Sequence, residues 1–154
     1  MRDFRGKRYW LVGASEGLGL ALARKLGAAG AELILSARSE ARLRDAAASL
    51  PGPATILPLD VGNSDSVARA AARLPDLDGI VFLAAVYQPM RAQDWDVRAA
   101  EAMANVNFTG LVRVLGVALP QMIARNRGHI VITGSLSGFR GKTGDLGYGA
   151  SKAG

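Results

Sequence analysis

The chain has 154 residues, of which 49% are hydrophobic and 21% charged, and it carries a net charge of +6. This length and composition predict one folded domain and are too apolar for a disordered chain. The sequence contains no cysteine and a single histidine, His129. Disulfides, cysteine–zinc sites, multi-histidine metal sites and Ser-His-Asp triads are therefore excluded, and we expect no metal site. Any acid/base chemistry must come from tyrosine, lysine or carboxylate groups.

The positive charge does not predict a nucleic-acid partner, because the arginines are scattered and no helix carries a basic stripe interleaved with aromatic residues. The densest basic cluster comprises Arg2, Arg5, Lys7 and Arg8. A solvated leader is favoured over a weak anion-attracting patch at this cluster. The apolar run at residues 9–12 ends at Gly13, too short for a signal peptide, and no run approaches the roughly 18 uninterrupted apolar residues of a membrane span. We therefore expect a cytoplasmic protein with no membrane partner.

Strand-like and helix-like segments alternate along the chain. Strands are predicted at residues 9–12, 32–37, 55–59, 80–86 and 130–133. Helices are predicted from Leu18 to the glycines at 27 and 30, at 39–50 with Ser39 as cap, at 64–74, at about 92–125, and from near Tyr148. Leu18, Leu22 and Leu26 are predicted to form the apolar face of the first helix. This alternation predicts an α/β fold, a Rossmann-like doubly wound parallel sheet of order 3-2-1-4-5, within a single domain spanning 1–154.

A glycine-rich turn, Gly13-Ala14-Ser15-Glu16-Gly17-Leu18-Gly19, joins the first strand to the first helix. Gly13 would allow a tight turn, Gly17 would let the backbone approach a pyrophosphate, and Gly19 would permit close helix–strand packing. The helix N-terminus adds free N–H groups and a positive dipole end. Such a turn also occurs as plain strand–helix packing, but its place in the first βα unit favours a dinucleotide site.

Two residues after the second and third strands bear on cofactor choice. Arg38 ends the second strand where a carboxylate would favour NAD by accepting from a ribose 2′-hydroxyl, so it is a candidate clamp for a 2′-phosphate, helped by the Ser15 hydroxyl. The alternative is a solvent-exposed arginine that starts a loop. Asp60 follows the third strand, where a carboxylate can accept from an adenine amino group. The alternative there is a carboxylate stabilised by a helix N-terminus.

Tyr148 and Lys152 are four residues apart and share one face of a helix. A neighbouring ammonium stabilises a phenolate and so lowers the pKa of a tyrosine, which suits it to acid/base work. Ser135 follows the fifth strand at the carboxyl edge, where open α/β sheets place ligands. Its hydroxyl would hold a substrate carbonyl oxygen. Either feature alone is common by chance, and the serine alone would be an ordinary loop residue.

Together these features resemble the short-chain dehydrogenase/reductase family from about Arg8 to the end of the chain. The matching segments are the glycine turn 13–19, Asp60-Val61, Phe82-Leu83-Ala84-Ala85 in place of an NNAG segment, Asn107, Ser135 thirteen residues before Tyr148, and Tyr148-Gly149-Ala150-Ser151-Lys152 as the YxASK signature. The resemblance implies an enzyme that transfers a hydride between NADP(H), preferred over NAD(H), and a ketone or secondary alcohol.

The resemblance also implies a role for each site residue. Tyr148 would be the acid/base, Lys152 would lower its pKa and hold the nicotinamide ribose, and Ser135 would orient the substrate oxygen. Asn107 would hold a water that connects Lys152 to solvent. The implied cofactor-binding residues are Gly13, Ser15, Gly17, Leu18, Gly19, Arg38, Asp60, Val61, Ala84, Ala85, Tyr148 and Lys152.

The sequence also departs from the family pattern. Val12 replaces a threonine, Phe82 and Leu83 replace two asparagines, Ala85 replaces a glycine, and Glu16 stands where one NADP-preferring subgroup carries a basic residue. Full-length relatives continue beyond the YxxxK motif, so we expect a C-terminally incomplete domain that is marginally stable and catalytically silent alone. We expect the full-length form to be a homodimer or homotetramer. The alternative is a non-catalytic nucleotide-binding fragment or interaction domain, and the substrate itself cannot be read.

Overall fold

The computed structural model describes residues 3–154, so Arg2 of the basic cluster lies outside the described residues. The strands are β1 (Arg8–Val12), β2 (Glu32–Ser36), β3 (Ala54–Ile56), β4 (Gly79–Phe82) and β5 (Ile130–Ile132). The helices are α1 (Gly17–Ala28), α2 (Glu40–Ala48), α3 (Ser64–Ala71), α4 (Val97–Ala104), α5 (Gly110–Ala124) and α6 (Leu146–Ala153). Short 3-10 turns lie at Ala92–Asp94 and Leu136–Gly138, and a π-helical segment at Asn105–Thr109 joins α4 to α5.

The strands form one parallel sheet in the order β3-β2-β1-β4-β5. This confirms the Rossmann-like order 3-2-1-4-5. The reversal point lies between β1 and β4, which pair from Tyr9 opposite Gly79 to Val12 opposite Phe82. Because open sheets of this kind bind ligands where the strand order reverses, the carboxyl ends of β1 and β4 mark the expected site.

Successive side chains of β1 point to opposite faces of the sheet and enter two separate cores. Trp10 and Val12 pack on one face with residues of α3 and α5, including Val67 and Val114. Tyr9 and Leu11 pack on the other face with residues of α1 and α2. Helices therefore cover both faces of the central strand, which explains its unbroken apolar sequence.

A chain of hydrogen bonds crosses the buried part of the sheet. Trp10 Nε1 donates to Ser36 Oγ at 2.8 Å, and Ser36 Oγ donates to the Leu57 carbonyl at 2.6 Å. Ser36 is fully buried, so both bonds are shielded from water. This polar link ties β1 to β2 and to the segment after β3. It provides hydrogen-bond partners for the indole N–H of Trp10, the Ser36 hydroxyl and the Leu57 carbonyl, which would otherwise be costly to bury.

Two predicted elements have the wrong bounds. The strand predicted at 80–86 ends at Phe82: the Leu83 N–H still donates to the Val12 carbonyl of β1, but both backbone polar groups of Val86 bond to the Asn107 side chain. The helix predicted at 92–125 begins instead at Val97, where the Asp96 carboxylate accepts from the backbone N–H groups of Arg98 and Ala99. The helix then contains the π-helical segment that the periodicity did not indicate.

Other bounds differ by a few residues. Ser39 caps α2 as predicted, and its hydroxyl accepts from the Arg42 N–H. Asn63 is the residue that caps α3. β3 is shorter than predicted, although the Leu57 and Leu59 N–H groups still bond to β2 and to Ala37. The last helix begins at Leu146, two residues before Tyr148.

The helix Val97–Ala124 is long and apolar enough, by length and composition alone, to cross a membrane. The core helix of a water-soluble protein passes the same test, so one such helix is a weak indication. Its residues Val114, Ala118 and Met122 are buried against the sheet. Arg5 pairs with Asp3 at 2.9 Å, and Arg5 and Lys7 are exposed, as a solvated leader predicts. Arg8 instead belongs to β1 and pairs with Glu32 of β2 at 3.0 Å.

Candidate functional site

A cleft of about 590 Å³ opens at the carboxyl ends of β1, β2 and β4. Its walls contain most of the predicted cofactor-binding residues: Gly13, Ser15, Leu18, Gly19, Arg38, Asp60, Val61, Ala84 and Ala85. They come from four different loops that the parallel sheet brings to one edge. The spacing of Leu18, Leu22 and Leu26 predicted one apolar face for α1, but Leu18 does not lie on the buried face of that helix. It is 65% exposed and lines the cleft, whereas the buried face of α1 consists of Gly19, Ala23, Leu26 and Gly27.

The glycine turn has the geometry that its sequence predicts. Gly17 has a φ of +53°, and a side chain added there would meet no atom within 4 Å, so its backbone faces open space. A Cβ on Gly19 would overlap the Gly13 carbonyl oxygen and lie 2.9 Å from the Ala14 Cα, so α1 packs directly on the turn. The result is an exposed helix N-terminus beside bare backbone, which suits an anion such as a pyrophosphate.

Three side chains surround the cleft wall beyond β2. Arg38 is exposed, and within residues 3–154 no hydrogen bond or ion pair engages its guanidinium group. Arg42, in the first turn of α2, forms an ion pair with Glu16 at 3.0 Å. Glu16 precedes α1 and uses its carboxylate for this pair rather than to cap the helix. Neither Glu16 nor Arg42 was predicted as a site residue, although both line the cleft.

A second group of contacts holds the loop after β3, which lies beside the end of β2. Asp60 Oδ1 accepts from the Gly62 N–H at 2.9 Å, and the Asp60 N–H donates to Ser66 Oγ at 3.0 Å. Asn105 Nδ2 donates to the Gly62 carbonyl, and the Arg113 guanidinium donates to the Val61 carbonyl at 3.1 Å. Asp60 thus lines the cleft as part of a fixed turn and is not the cap of α3.

Tyr148 and Lys152 lie on α6, as the spacing predicts. The Lys152 ammonium is 6.0 Å from the centre of the Tyr148 ring, and it donates to the Thr133 carbonyl at 3.0 Å. Burial lowers the pKa of Lys152 from its ordinary value of 10.5. A partly buried ammonium group therefore lies beside the Tyr148 ring.

Asn107 joins the cleft to α6. Its Oδ1 accepts from the Val86 N–H at 2.8 Å, and its Nδ2 donates to the Val86 carbonyl and to Ser151 Oγ, both at 2.9 Å. Ser151 Oγ in turn donates to the Tyr148 carbonyl at 2.8 Å. Both amide hydrogens of Asn107 are thus committed, and only its oxygen retains a lone pair for a water molecule.

A carboxylate that the sequence analysis missed lies next to these groups. Asp145 is buried, and it accepts from the Tyr87 hydroxyl at 2.8 Å and from Ser137 Oγ at 3.1 Å. These hydrogen bonds, that of Tyr87 first, hold the pKa of Asp145 below its usual value of 3.8, and the same bond raises the pKa of Tyr87. The Tyr87 ring meets the Tyr148 ring edge to face, with centres 4.8 Å apart.

The structure thus separates the predicted residues into two groups. Gly13, Ser15, Leu18 and Gly19 of the glycine turn share the cleft with the predicted residues of the loops after β2, β3 and β4, whereas Gly17 does not line it. Asn107, Ser135, Tyr148 and Lys152 do not line it. Ser135 starts the turn Leu136–Gly138, which packs against α6, and its hydroxyl accepts from the Ser137 N–H at 3.2 Å. The roles assigned to the individual site residues stay predictions.

Comparisons with known proteins agree with this architecture. The family model described as short chain dehydrogenase matches residues 7–154. An uncharacterized oxidoreductase of Staphylococcus epidermidis is 34% identical over 93% of this chain and 64% of its own length. Sulfoacetaldehyde reductase of Chromohalobacter salexigens is 35% identical over 94% of this chain and 60% of its own.

A solved structure with bound cofactor is also similar. The closed form of a serine dehydrogenase complexed with NADP+ superposes with a TM-score of 0.90 and 32% identity, over 95% of this chain and 61% of that one. The chain therefore spans about three fifths of the length of these relatives. Because the family model covers nearly all of the chain and the sheet order agrees, the chain belongs to the short-chain dehydrogenase family.

Proposed function

We propose that this chain forms the cofactor-binding and catalytic part of an NADP(H)-dependent oxidoreductase acting on a ketone or secondary alcohol. The observation that carries the proposal is the Tyr148–Lys152 pair, which shares one face of α6 with 6.0 Å between the ammonium and the ring centre. Without cysteine and with His129 as the only histidine, this pair is the best candidate for acid/base chemistry.

The dinucleotide fits the residues present. Gly17 leaves open space over bare backbone at the start of α1, which favours the pyrophosphate, and Asp60 and Val61 line the wall suited to the adenine. The bound cofactor would supply or accept the hydride, which no protein side chain can do. The protein would bind it, exclude water and manage one proton.

Tyr148 would donate that proton to the substrate oxygen in reduction and take it back in oxidation. Lys152 would stabilise the phenolate, and its pKa, lowered by burial, allows it to pass a proton onward more readily than an exposed lysine. Ser135 would orient the substrate oxygen. Asn107 would act mainly as a positioning residue, since its amide links Val86 to the Ser151–Tyr148 turn of α6.

Replacing Tyr148 with phenylalanine tests the acid/base assignment. In the full-length protein we expect Tyr148→Phe to abolish nearly all turnover of a competent ketone while NADP(H) binding survives, because the phenol adds little to cofactor binding. Lys152→Ala should damage both turnover and binding. Tyr87→Phe is the matched control, since it removes the hydroxyl of the neighbouring tyrosine and keeps the ring that meets Tyr148. Turnover by Tyr148→Phe at most of the wild-type kcat would overturn the assignment.

Preference for NADP(H) over NAD(H) is supported by Arg38, which lines the cleft without a partner among residues 3–154, and by the absence of an acid at the end of β2. A hydrogen-bonded arginine–phosphate contact contributes about 1.5–3 kcal/mol, or roughly 10- to 150-fold in affinity. Calorimetry with both cofactors measures it, with Arg44→Ala as control because Arg44 lies outside the cleft. Equal affinities, or an unchanged preference in Arg38→Ala, would refute the proposal.

A second candidate is a nucleotide-binding domain without catalysis. It is favoured by one observation: the cleft is lined by residues suited to the adenosine half, whereas the four predicted catalytic residues lie outside it. If the full-length protein turns over a substrate and Tyr148→Phe abolishes this turnover, the chain belongs to an enzyme. If the full-length protein binds nucleotide but shows no turnover, this second candidate is supported.

The partners of the whole protein are also proposals. A small carbonyl or alcohol substrate is supported by the reductase and dehydrogenase names of the relatives. Assembly into a homodimer or homotetramer is supported by apolar side chains exposed along the long helix, Phe108, Val112 and Ile123. Light scattering of the full-length protein measures that state.

A further inference from the structure

We infer that Arg42 is a second cation for the 2′-phosphate of the cofactor and that Glu16 competes with this phosphate for it, so that the Glu16–Arg42 pair sets how strongly the protein selects NADP(H). The inference rests on the proposed function of the cleft. It adds a specificity-determining pair to a site in which Arg38, helped by Ser15, was the predicted discriminator.

The placement of the pair carries the inference. Glu16 Oε2 and Arg42 Nη1 are 3.0 Å apart, and the two residues come from different elements on the two sides of the cleft mouth, one before α1 and the other in the first turn of α2. Both line the cleft that also contains Arg38 and Ser39. The pair therefore lies beside the wall where an adenosine 2′-phosphate is expected.

The two arginines at this wall differ in whether a carboxylate already pairs with them. Arg38 has no partner among residues 3–154, while Arg42 already holds a carboxylate. A phosphate that approaches the wall meets two guanidinium groups and one like-charged carboxylate. To bind Arg42 it must draw this guanidinium group away from Glu16, and this competition weakens its binding. A nucleotide without the 2′-phosphate meets no such competition, so Glu16 lowers the selectivity and not the affinity for the nucleotide in general.

The pair is solvent-accessible, with side chains 62% and 73% exposed, so the effect should be moderate and salt-dependent. We expect Glu16→Gln to bind adenosine 2′,5′-bisphosphate about two- to five-fold more tightly than wild type at low salt, in line with the strength of exposed ion pairs. Arg42→Gln should bind it more weakly by at least the same factor. Each variant should change the affinity for adenosine 5′-monophosphate by a smaller factor than the affinity for the bisphosphate.

Calorimetry of wild type, both single variants and the double variant with these two nucleotides tests the coupling. In the double variant the Glu16→Gln gain should disappear, because Arg42 is no longer there to be released. Repetition at about 0.5 M salt should shrink the Glu16→Gln effect. Glu40→Gln is the matched control, since it removes a carboxylate that pairs with Arg44 on the same helix but lies outside the cleft. It should leave both affinities unchanged.

The outcomes separate this inference from the proposed cofactor preference. If Arg38→Ala weakens the bisphosphate but Glu16→Gln and Arg42→Gln do not change it, the inference fails and the preference stands. The inference also fails if Glu16→Gln tightens both nucleotides equally or if its gain persists in the double variant. If wild type binds both nucleotides equally and Arg38→Ala has no effect, the preference itself fails, and the inference with it.

Discussion

Replacing Gly19 by alanine tests whether close packing of α1 on the glycine turn stabilises the fold as well as the cleft. The new Cβ would overlap the Gly13 carbonyl oxygen and lie 2.9 Å from the Ala14 Cα, both backbone atoms. Backbone cannot rotate away as a side chain can. The turn is held in place because the N–H groups of Gly13 and Ala14 both donate to the Ser36 carbonyl, at 2.7 Å and 3.1 Å. Any relief of the overlap must strain or break these bonds.

The expected cost follows from these contacts. Overpacking of a fixed site costs about 1–3 kcal/mol, and two weakened hydrogen bonds cost about 1 kcal/mol each. Alanine gains about 1 kcal/mol over glycine in a helix, so the net loss for Gly19→Ala is about 2–4 kcal/mol. Gly116→Ala is the matched control, because Gly116 lies within α5 and its added Cβ would meet no atom within 4 Å. That variant should be more stable than wild type by about 0.5–1 kcal/mol.

Urea unfolding followed by circular dichroism measures both variants against wild type. The changes in unfolding free energy should have opposite signs in the two variants and differ by about 3–5 kcal/mol. This outcome supports restrictive packing at Gly19, because helix propensity alone predicts that both variants are stabilised. A Gly19→Ala protein within about 0.5 kcal/mol of wild type, at an unchanged denaturant slope, would show that the turn yields freely and that its packing is not restrictive.

Further predictions concern the open backbone at Gly17, the buried hydrogen bonds of Ser36 and the buried carboxylate of Asp145. Gly17→Ala should lower the free energy of unfolding by only about 1–2 kcal/mol, because alanine disfavours the positive φ of +53° at this position. It should nevertheless weaken NADP(H) binding at least tenfold in calorimetry, because the new methyl group would occupy the open space expected to hold the pyrophosphate. Unchanged binding would refute the role of Gly17. Ser36→Ala should lose about 2–4 kcal/mol in urea unfolding, since it leaves Trp10 Nε1 and the Leu57 carbonyl buried and unpaired; a loss under about 0.5 kcal/mol would contradict this. Because the pKa of Asp145 is held below 3.8 in the folded protein, the stabilisation from its ionised carboxylate is complete above about pH 5 and is lost as the pH falls through the lowered folded-state pKa. The gap in unfolding free energy between wild type and Asp145→Asn should therefore begin to narrow below about pH 5 and keep narrowing toward lower pH in a pH series of urea unfolding; a constant gap would exclude an ionic origin.

The features predicted from sequence are those that local rules determine. The strand order follows from the alternation of apolar runs with helical spacing, since parallel crossovers leave few topologies. The Tyr148–Lys152 face follows from the helical repeat, and the packing of Gly19 follows from its place in the first βα unit. In each case the relevant partners lie within a few residues or in a recurring unit.

The features that were missed depend on contacts between distant residues. Glu16 and Arg42 are 26 residues apart and Tyr87 and Asp145 are 58 apart, so neither pair leaves a periodic signal. The strand predicted at 80–86 was too long because an apolar run reads as buried strand whether its N–H groups bond to a neighbouring strand or, like that of Val86, to a side chain. Leu18 was grouped with Leu22 and Leu26 on one apolar face because an apolar side chain that faces a ligand cleft has the same spacing as one that faces the sheet.

The π-helical segment Asn105–Thr109 shows how such contacts connect the two parts of the site. Asn105 and Asn107 are two residues apart on a helix, so their side chains point in nearly opposite directions. Asn105 bonds to the Gly62 carbonyl beside the adenine wall, while Asn107 bonds to Val86 and to Ser151 of α6. One helix thereby ties the loop after β3 to the helix that carries Tyr148 and Lys152. Asn105 bonds the backbone of the loop after β3, and Asn107 bonds the backbone of Val86 and the hydroxyl of Ser151, so this segment contacts both loops and α6 directly. The cofactor cleft and the Tyr148–Lys152 pair, which do not share one cleft, are thus both bonded to the same segment of helix.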